Sequence, residues 1–179
     1  AQISLPLVVK PAKSGSAQGV TVVERADQLA RAMVDAYVYC DTAILEQFVA
    51  GTELAVSIID LGAGPIALPA VEIEPVEGRY GYDERYTAGE TNFYVPARLT
   101  EKAAQDAALL AIKAHEVLGL RHLSRIDIIV DAAGVPWFLE ANVAPGLTET
   151  SLLPQAVVAS GNSLSEAYLS IAQAAIRLR

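Results

Sequence analysis

The run from Arg125 to Ser151, RIDIIVDAAGVPWFLEANVAPGLTETS, constrains this chain more than any other. Two apolar stretches flank a short turn around Asp131 to Gly134, so the segment reads as an antiparallel hairpin. Each strand carries polar residues where a buried strand should have none. Arg125 and Asp127 are two apart, and so are Glu140 and Asn142. Strand side chains alternate faces, so each pair projects from one face. A turn with an even number of residues sets position 125 opposite 140 and position 127 opposite 138 and gathers all four groups on one face. Two carboxylates and an amide oxygen there make a hard-cation site with a guanidinium beside it. The competing reading is a structural ion pair of Arg125 with Asp127 or Glu140, although Asn142 adds an oxygen that such a pair does not need.

The rest of the chain fits an α+β fold of mostly antiparallel strands with packed helices. Apolar runs predict strands at 5–9, 20–23, 43–49, 53–61, about 65–74, 123–130 and 135–141. Helical spacing covers 25–38, Thr100 to Leu118, and the stretch after Ser163, where Ser163 and Glu166 fit a capping box. The polar, Tyr-rich run 77–92 has no period, and a long loop of that kind is often a lid. Hydrophobic residues make up 53% of the 179, enough for a real core in one domain or two small lobes. The net charge of −8 argues against a nucleic-acid surface. No apolar run approaches a membrane span and no signal peptide is visible. Cys40 is alone, which excludes an intrachain disulfide framework and favours a reducing, cytoplasmic setting. The chain enters a strand directly from Ala1, as an excerpt of a longer protein would.

Three further places could carry chemistry. Lys10 ends an apolar strand and precedes the Gly/Ser loop 12–19, an arrangement suited to a phosphate, though a lysine so placed is more often solvated. Glu46 interrupts an apolar strand, and with Glu53 it flanks the turn at Gly51. Such a segment can offer backbone groups to an adenine edge and a carboxylate to ribose hydroxyls. The loop Val143 to Ser151 leads into a helix start at Pro154, where exposed N–H groups suit a carboxylate. His115 and His122 lie near no other ligand-type residue at metal spacing and read as structural.

Taken in order, these elements resemble the ATP-grasp portion of the D-alanine–D-alanine ligase family. The resemblance rests on Lys10-Pro-x-x-x-Gly-Ser, Glu46 to Glu53, the loop with Tyr86, Arg125-x-Asp127, Leu139-Glu140-Ala141-Asn142 and Pro145-Gly146-Leu147-Thr148 to Ser151. It runs from about Leu7 to the C-terminal helix. It implies an ATP-grasp fold with residues 1–50 as a partial small lobe, its N-terminal part missing. Residues 51–179 then form the larger lobe with the lid at 77–92, and the family's N-terminal domain is absent, which would make this chain a catalytic fragment, inactive alone.

The resemblance also implies roles. Lys10 would contact ATP phosphates and the Gly15–Ser16 loop would cover them. Glu46 and the backbone of Gln47, Phe48 and Val49 would meet adenine, and Glu53 the ribose. Asp127, Glu140 and Asn142 would ligate two Mg²⁺ ions, or Mn²⁺, with Glu140 bridging. Arg125 would stabilise charge on the reacting carboxylate and the tetrahedral intermediate. Gly146 and Ser151 would hold the carboxylate of the second D-alanine, and Tyr86 would close the site and favour an amine acceptor. Arg85 stands where the family usually has a lysine reaching the γ-phosphate, and Lys13-Ser14-Gly15-Ser16-Ala17 lacks the usual acidic residue before glycine and the second serine after it. The implied activity is D-alanyl-D-alanine synthesis for peptidoglycan in the cytoplasm, by a homodimer. The rivals are D-alanine–D-serine or D-alanine–D-lactate ligation, and an ATP-binding module without catalysis.

Overall fold

The structure is a computed structural model that describes residues 3–76 and 89–177. The chain divides into two compact units, Ala1–Val49 with Pro75–Asn92, and Ala50–Glu74 with Phe93–Arg179. In the first, β1 (Leu7–Pro11) pairs antiparallel with β2 (Thr21–Val23) and β3 (Ala43–Gln47), in the order β2-β1-β3. Alternation sends Leu7, Val9 and Val23 to one side, where they pack on Ala32 and Ala36 of α1 (Leu29–Tyr37). The other side keeps Lys10 and Glu46. A 3-10 turn, Ala26–Gln28, precedes α1, so the helical segment starts later than its apolar spacing suggests.

The second unit centres on β4 (Gly51–Asp60). It lies in an antiparallel sheet ordered β7-β6-β4-β8-β9, with β5 (Pro65–Ala67) also on β4. The remaining strands are β6 (Val71–Pro75), β7 (Thr91–Tyr94), β8 (Leu123–Asp131) and β9 (Pro136–Asn142). Leu54, Val56 and Ile58 of β4 share one face with Ile126, Ile128 and Val130 of β8. Onto that face α2 (Glu101–Val117) lays Ala103, Ala107 and Ala111, one small residue per turn. Thr100 caps α2 by accepting from the Ala103 N–H. Helix α3 (Leu152–Ala159) also packs on β4, but its buried Leu152, Leu153, Ala156 and Val157 stand outside the α2 cluster. It therefore belongs to the opposite face, where Ala55 and Ser57 are equally buried. Helix α4 (Leu164–Arg177) packs against α3.

Two features depart from the sequence reading. The apolar run 65–74 is two strands, because it contains Pro69, which has no N–H to continue a ladder. The strand β7 falls at the end of the polar run 77–92. Around it, Arg98 stacks 3.5 Å over the Tyr94 ring and pairs with Glu72 and Glu74, and the Tyr94 hydroxyl donates to Glu74 at 2.9 Å. The Arg98 hydrogen bond holds the Glu72 carboxyl below its ordinary value.

Candidate active site

The hairpin is built differently from the even-turn expectation. Its loop is three residues, Ala132 to Gly134, with Gly134 at φ 80°. Asp131 organises that loop. Its Oδ1 accepts from the Ala133 and Val135 N–H groups at 2.9 Å, and its Oδ2 accepts from Trp137 Nε1 at 2.9 Å. The Trp137 bond, first among these, holds the Asp131 carboxyl below its usual range. From this turn Ile128 pairs with Phe138; continued unbroken, the ladder would set Asp127 opposite Leu139 and Arg125 opposite Ala141. A one-residue slip of that kind sends the polar groups of the two strands to opposite faces. A β-bulge at the Asp127–Ile128 step absorbs Leu139, and the observed pairs are Asp127 with Glu140 and Arg125 with Asn142. The expected pairs, 125 with 140 and 127 with 138, are thus replaced, while the four groups still share a face.

On that face Asp127 is buried, at 4% side-chain exposure, and Arg125 is at 11%. The guanidinium grips the carboxylate bidentately, Nε to Oδ1 at 2.7 Å and Nη2 to Oδ2 at 2.8 Å. Glu140 stands directly opposite Asp127, so the two carboxylates are cross-strand neighbours. Asn142 Oδ1 accepts from the Ala144 N–H at 3.0 Å, which fixes the amide and leaves that oxygen a second lone pair. Glu53 stands on the same face of β4, two positions from Ala55, the residue opposite Asp127. Among the described residues no group of three or more His, Cys, Asp or Glu side chains is gathered as a metal cluster. The donor set here is two carboxylates and an amide oxygen. All are hard oxygens, which fits a cation such as Mg²⁺ that keeps water and phosphate among its ligands.

The loop after β9 folds back on itself. Ser151 N donates to the Thr148 carbonyl at 2.8 Å, and the two hydroxyls lie 2.8 Å apart. A Cβ added to Gly146 would sit 2.5 Å from Ser151 Oγ, so these two positions touch and any larger residue at 146 must displace the Ser151 hydroxyl. Tyr168 of α4 braces the loop by donating to the Leu147 carbonyl at 2.9 Å.

In the first unit Lys10 Nζ lies 2.8 Å from Glu46 Oε2, pairing two residues expected to meet different parts of one ligand. The Gly15 turn is closed by Gln18 N donating to its carbonyl at 3.1 Å, and Ser16 and Ala17 are both left-handed, at φ 53° and 57°. Consecutive non-glycine residues in that region are strained, a property concentrated at ligand-binding loops. The Gln47 side chain is used structurally: Oε1 accepts from Ser4, and Nε2 donates to the Pro6 carbonyl at 3.0 Å. The Phe48 N–H meets the same carbonyl at 3.3 Å, and Val49 is half-buried beyond the end of β3. Arg85 and Tyr86 lie outside the described residues.

The family model for the D-ala D-ala ligase C-terminus matches residues 1–171. The chain belongs to this family. A D-alanine–D-alanine ligase of Bordetella petrii is 39% identical over 170 residues, 95% of this chain and 52% of the relative. That of Pelotomaculum thermopropionicum is 42% identical over 160 residues, 89% and 50% respectively. Among solved structures, the VanG D-Ala:D-Ser ligase from Enterococcus faecalis superposes with TM-score 0.85 at 28% identity, covering 96% of this chain and 50% of that one. The Bacillus anthracis D-alanine–D-alanine ligase complexed with ATP gives 0.78 at 26%, covering 97% and 54%. The fold is the ATP-grasp fold of these D-alanine ligases. This chain spans about half the length of the relatives it matches. The resemblance to the D-alanine ligase family is therefore correct, and the register adds a residue that motif spacing did not single out, Ser57, a buried polar residue directly opposite Arg125. Its only sequence signal is a hydroxyl inside an apolar strand. No helix among the described residues is long and apolar enough to cross a membrane.

Proposed function

We propose that the complete gene product is a cytoplasmic, homodimeric ligase that uses ATP to join two D-alanines into the dipeptide of peptidoglycan precursors. The reading is carried by one observation: Arg125, Asp127, Glu140 and Asn142 share a face, and the Gly146–Ser151 loop follows directly on β9. The γ-phosphoryl group passes to the carboxylate of the first D-alanine, giving an acyl phosphate and ADP. The amine of the second then attacks the acyl carbon, loses a proton and expels phosphate. Every participant is anionic, so a positive environment is the main requirement. Asp127, Glu140 and Asn142 are the ligands for two Mg²⁺ ions, whose chemistry is to neutralise the phosphate oxygens. Arg125 offsets charge on the reacting carboxylate and the tetrahedral intermediate. The Ser151 hydroxyl and the backbone at Gly146 hold the acceptor carboxylate. Lys10, Gly15 and Ser16 serve the phosphates, with Arg85 in place of lysine. Glu46 and the Gln47–Val49 backbone serve the adenine, and Glu53 the ribose. Tyr86 acts on the acceptor side of a lid.

The test is phosphate release and dipeptide formation by the complete gene product with ATP, Mg²⁺ and D-alanine. Asp127→Asn and Glu140→Gln are each expected to abolish it, and undiminished turnover in either would sink the metal assignment. Acceptor choice has a second reading, D-serine, supported by the VanG superposition. Mixed-product analysis with D-alanine and D-serine at equal concentration decides between them.

A further inference from the structure

Two groups proposed for different tasks are engaged with each other. Both oxygens of Asp127 accept from the Arg125 fork, in the planar bidentate geometry that is the strongest form of this pair. A cation taking Asp127 meets that guanidinium at the same carboxylate. Two like charges sharing one carboxylate at 3–11% exposure are poorly screened, so one must yield.

The sheet provides a place for it. Ser57 of β4 stands directly opposite Arg125 in the β4–β8 register and projects from the same face. It is fully buried, and among the described residues its Oγ has no hydrogen-bond partner. Unsatisfied buried hydroxyls are uncommon and call for a specific reason. A serine oxygen can accept an N–H, and a guanidinium has five to give. Opposite Asp127 on one side stands Ala55, with a single methyl, and on the other stands Glu140.

We propose that Arg125 has two positions. Paired with Asp127 it is in its metal-free position. When a divalent cation takes Asp127 and Glu140, the guanidinium is released and Ser57 Oγ accepts one of its N–H groups. Ser57 is thus a positioning residue, and charge stabilisation by Arg125 becomes available only with the metal. The proposal rests on the metal reading above.

Binding of Mn²⁺ alone to the chain, followed by electron paramagnetic resonance without nucleotide, tests it. Asp127→Asn, expected to lose binding, identifies the signal with this site. Arg125→Lys keeps the charge but loses the fork, so Mn²⁺ should bind about tenfold more tightly, the effect of removing one charge-assisted competitor. Ser57→Ala should weaken Mn²⁺ binding about threefold with Arg125 present and leave it unchanged in Arg125→Met, a non-additivity expected only of coupled residues. The Nε–H resonance that vanishes in Arg125→Lys should shift in the unsubstituted chain when Mg²⁺ is added. Equal or weaker binding by Arg125→Lys, or the same Ser57→Ala effect in both backgrounds, overturns the two-position arrangement and leaves the metal site standing. Binding by neither the unsubstituted chain nor Arg125→Lys overturns the metal reading and this proposal together.

Discussion

Gly146→Ala separates the acceptor role proposed for the Gly146–Ser151 loop from its part in the fold. The added methyl would lie 2.5 Å from Ser151 Oγ and 3.1 Å from its Cβ, well inside the 3.5–4.0 Å optimum between carbon atoms. Rotating the hydroxyl away is the cheapest relief, and it breaks the 2.8 Å contact with Thr148. One such bond is worth about 1 kcal/mol. Gly146 is not in the left-handed region, so alanine is compatible with its backbone and restores about 0.4–1 kcal/mol through the unfolded chain. The two nearly cancel, and the melting temperature should move by no more than a few degrees. Binding is another matter. On the proposed role of Ser151, the displaced hydroxyl would no longer meet the acceptor carboxylate, at the loss of a charge-assisted bond of about 1.5–3 kcal/mol. That corresponds to a rise of about 10- to 150-fold in KM for the second D-alanine, with KM for ATP unchanged. Phosphate release against D-alanine concentration, on the complete gene product, measures both. An unchanged KM for the second D-alanine at an unchanged melting temperature would refute the assignment of this loop.

Gly51→Ala has the opposite profile. Its methyl would lie 2.2 Å from the Val130 carbonyl oxygen, a backbone atom that cannot rotate aside, so the β4–β8 pairing must open; a drop of at least about 1–3 kcal/mol in urea midpoint analysis is expected. Burial holds the His115 imidazole below its ordinary value, against weaker opposing pulls from Asp60 and Glu116. The unfolded chain then binds the proton first, so stability is full above about pH 6.5 and falls as pH drops from there toward the lower folded value. His115→Gln should flatten that slope in thermal melts between pH 7 and 5. The Glu72 carboxyl, depressed by Arg98, stabilises the fold above about pH 4.5 and loses that contribution as acid takes the pH down through its folded value. Acid titration of Glu72→Gln should show a lower starting stability and a shallower fall.

The sequence carried the site further than it carried the sheet that presents it. Arg125, Asp127, Glu140 and Asn142 were legible because polar residues in apolar strands are costly unless used. Their pairing was not, because parity depends on where the turn closes, and Asp131 closes it through Trp137 and Val135, contacts that no spacing reveals. The bulge at Leu139 has no local signature either, since leucine suits a regular strand equally well. Ser57 escaped notice because an isolated serine in a strand is ordinary, and only its register opposite Arg125 makes it unusual. Pro69 dividing the run 65–74 was visible in the sequence, but an apolar stretch around it reads as continuous. Strand β7 owes its existence to β6 and to the Arg98 cluster, both non-local.

The bulge also bears on how the hairpin can vary in length. If Leu139 were deleted, the ladder from Ile128–Phe138 would run on without interruption to set Glu140 opposite Asp127 again. The face that gathers Arg125, Asp127, Glu140 and Asn142 tolerates a strand one residue shorter, so the interval between Arg-x-Asp and Glu-x-Asn is not itself what places the four groups together. A pattern search that fixes that interval will pass over related hairpins that close without a bulge. One that allows a single-residue gap just before the glutamate will recover them, and alignments across this segment should place their gaps there.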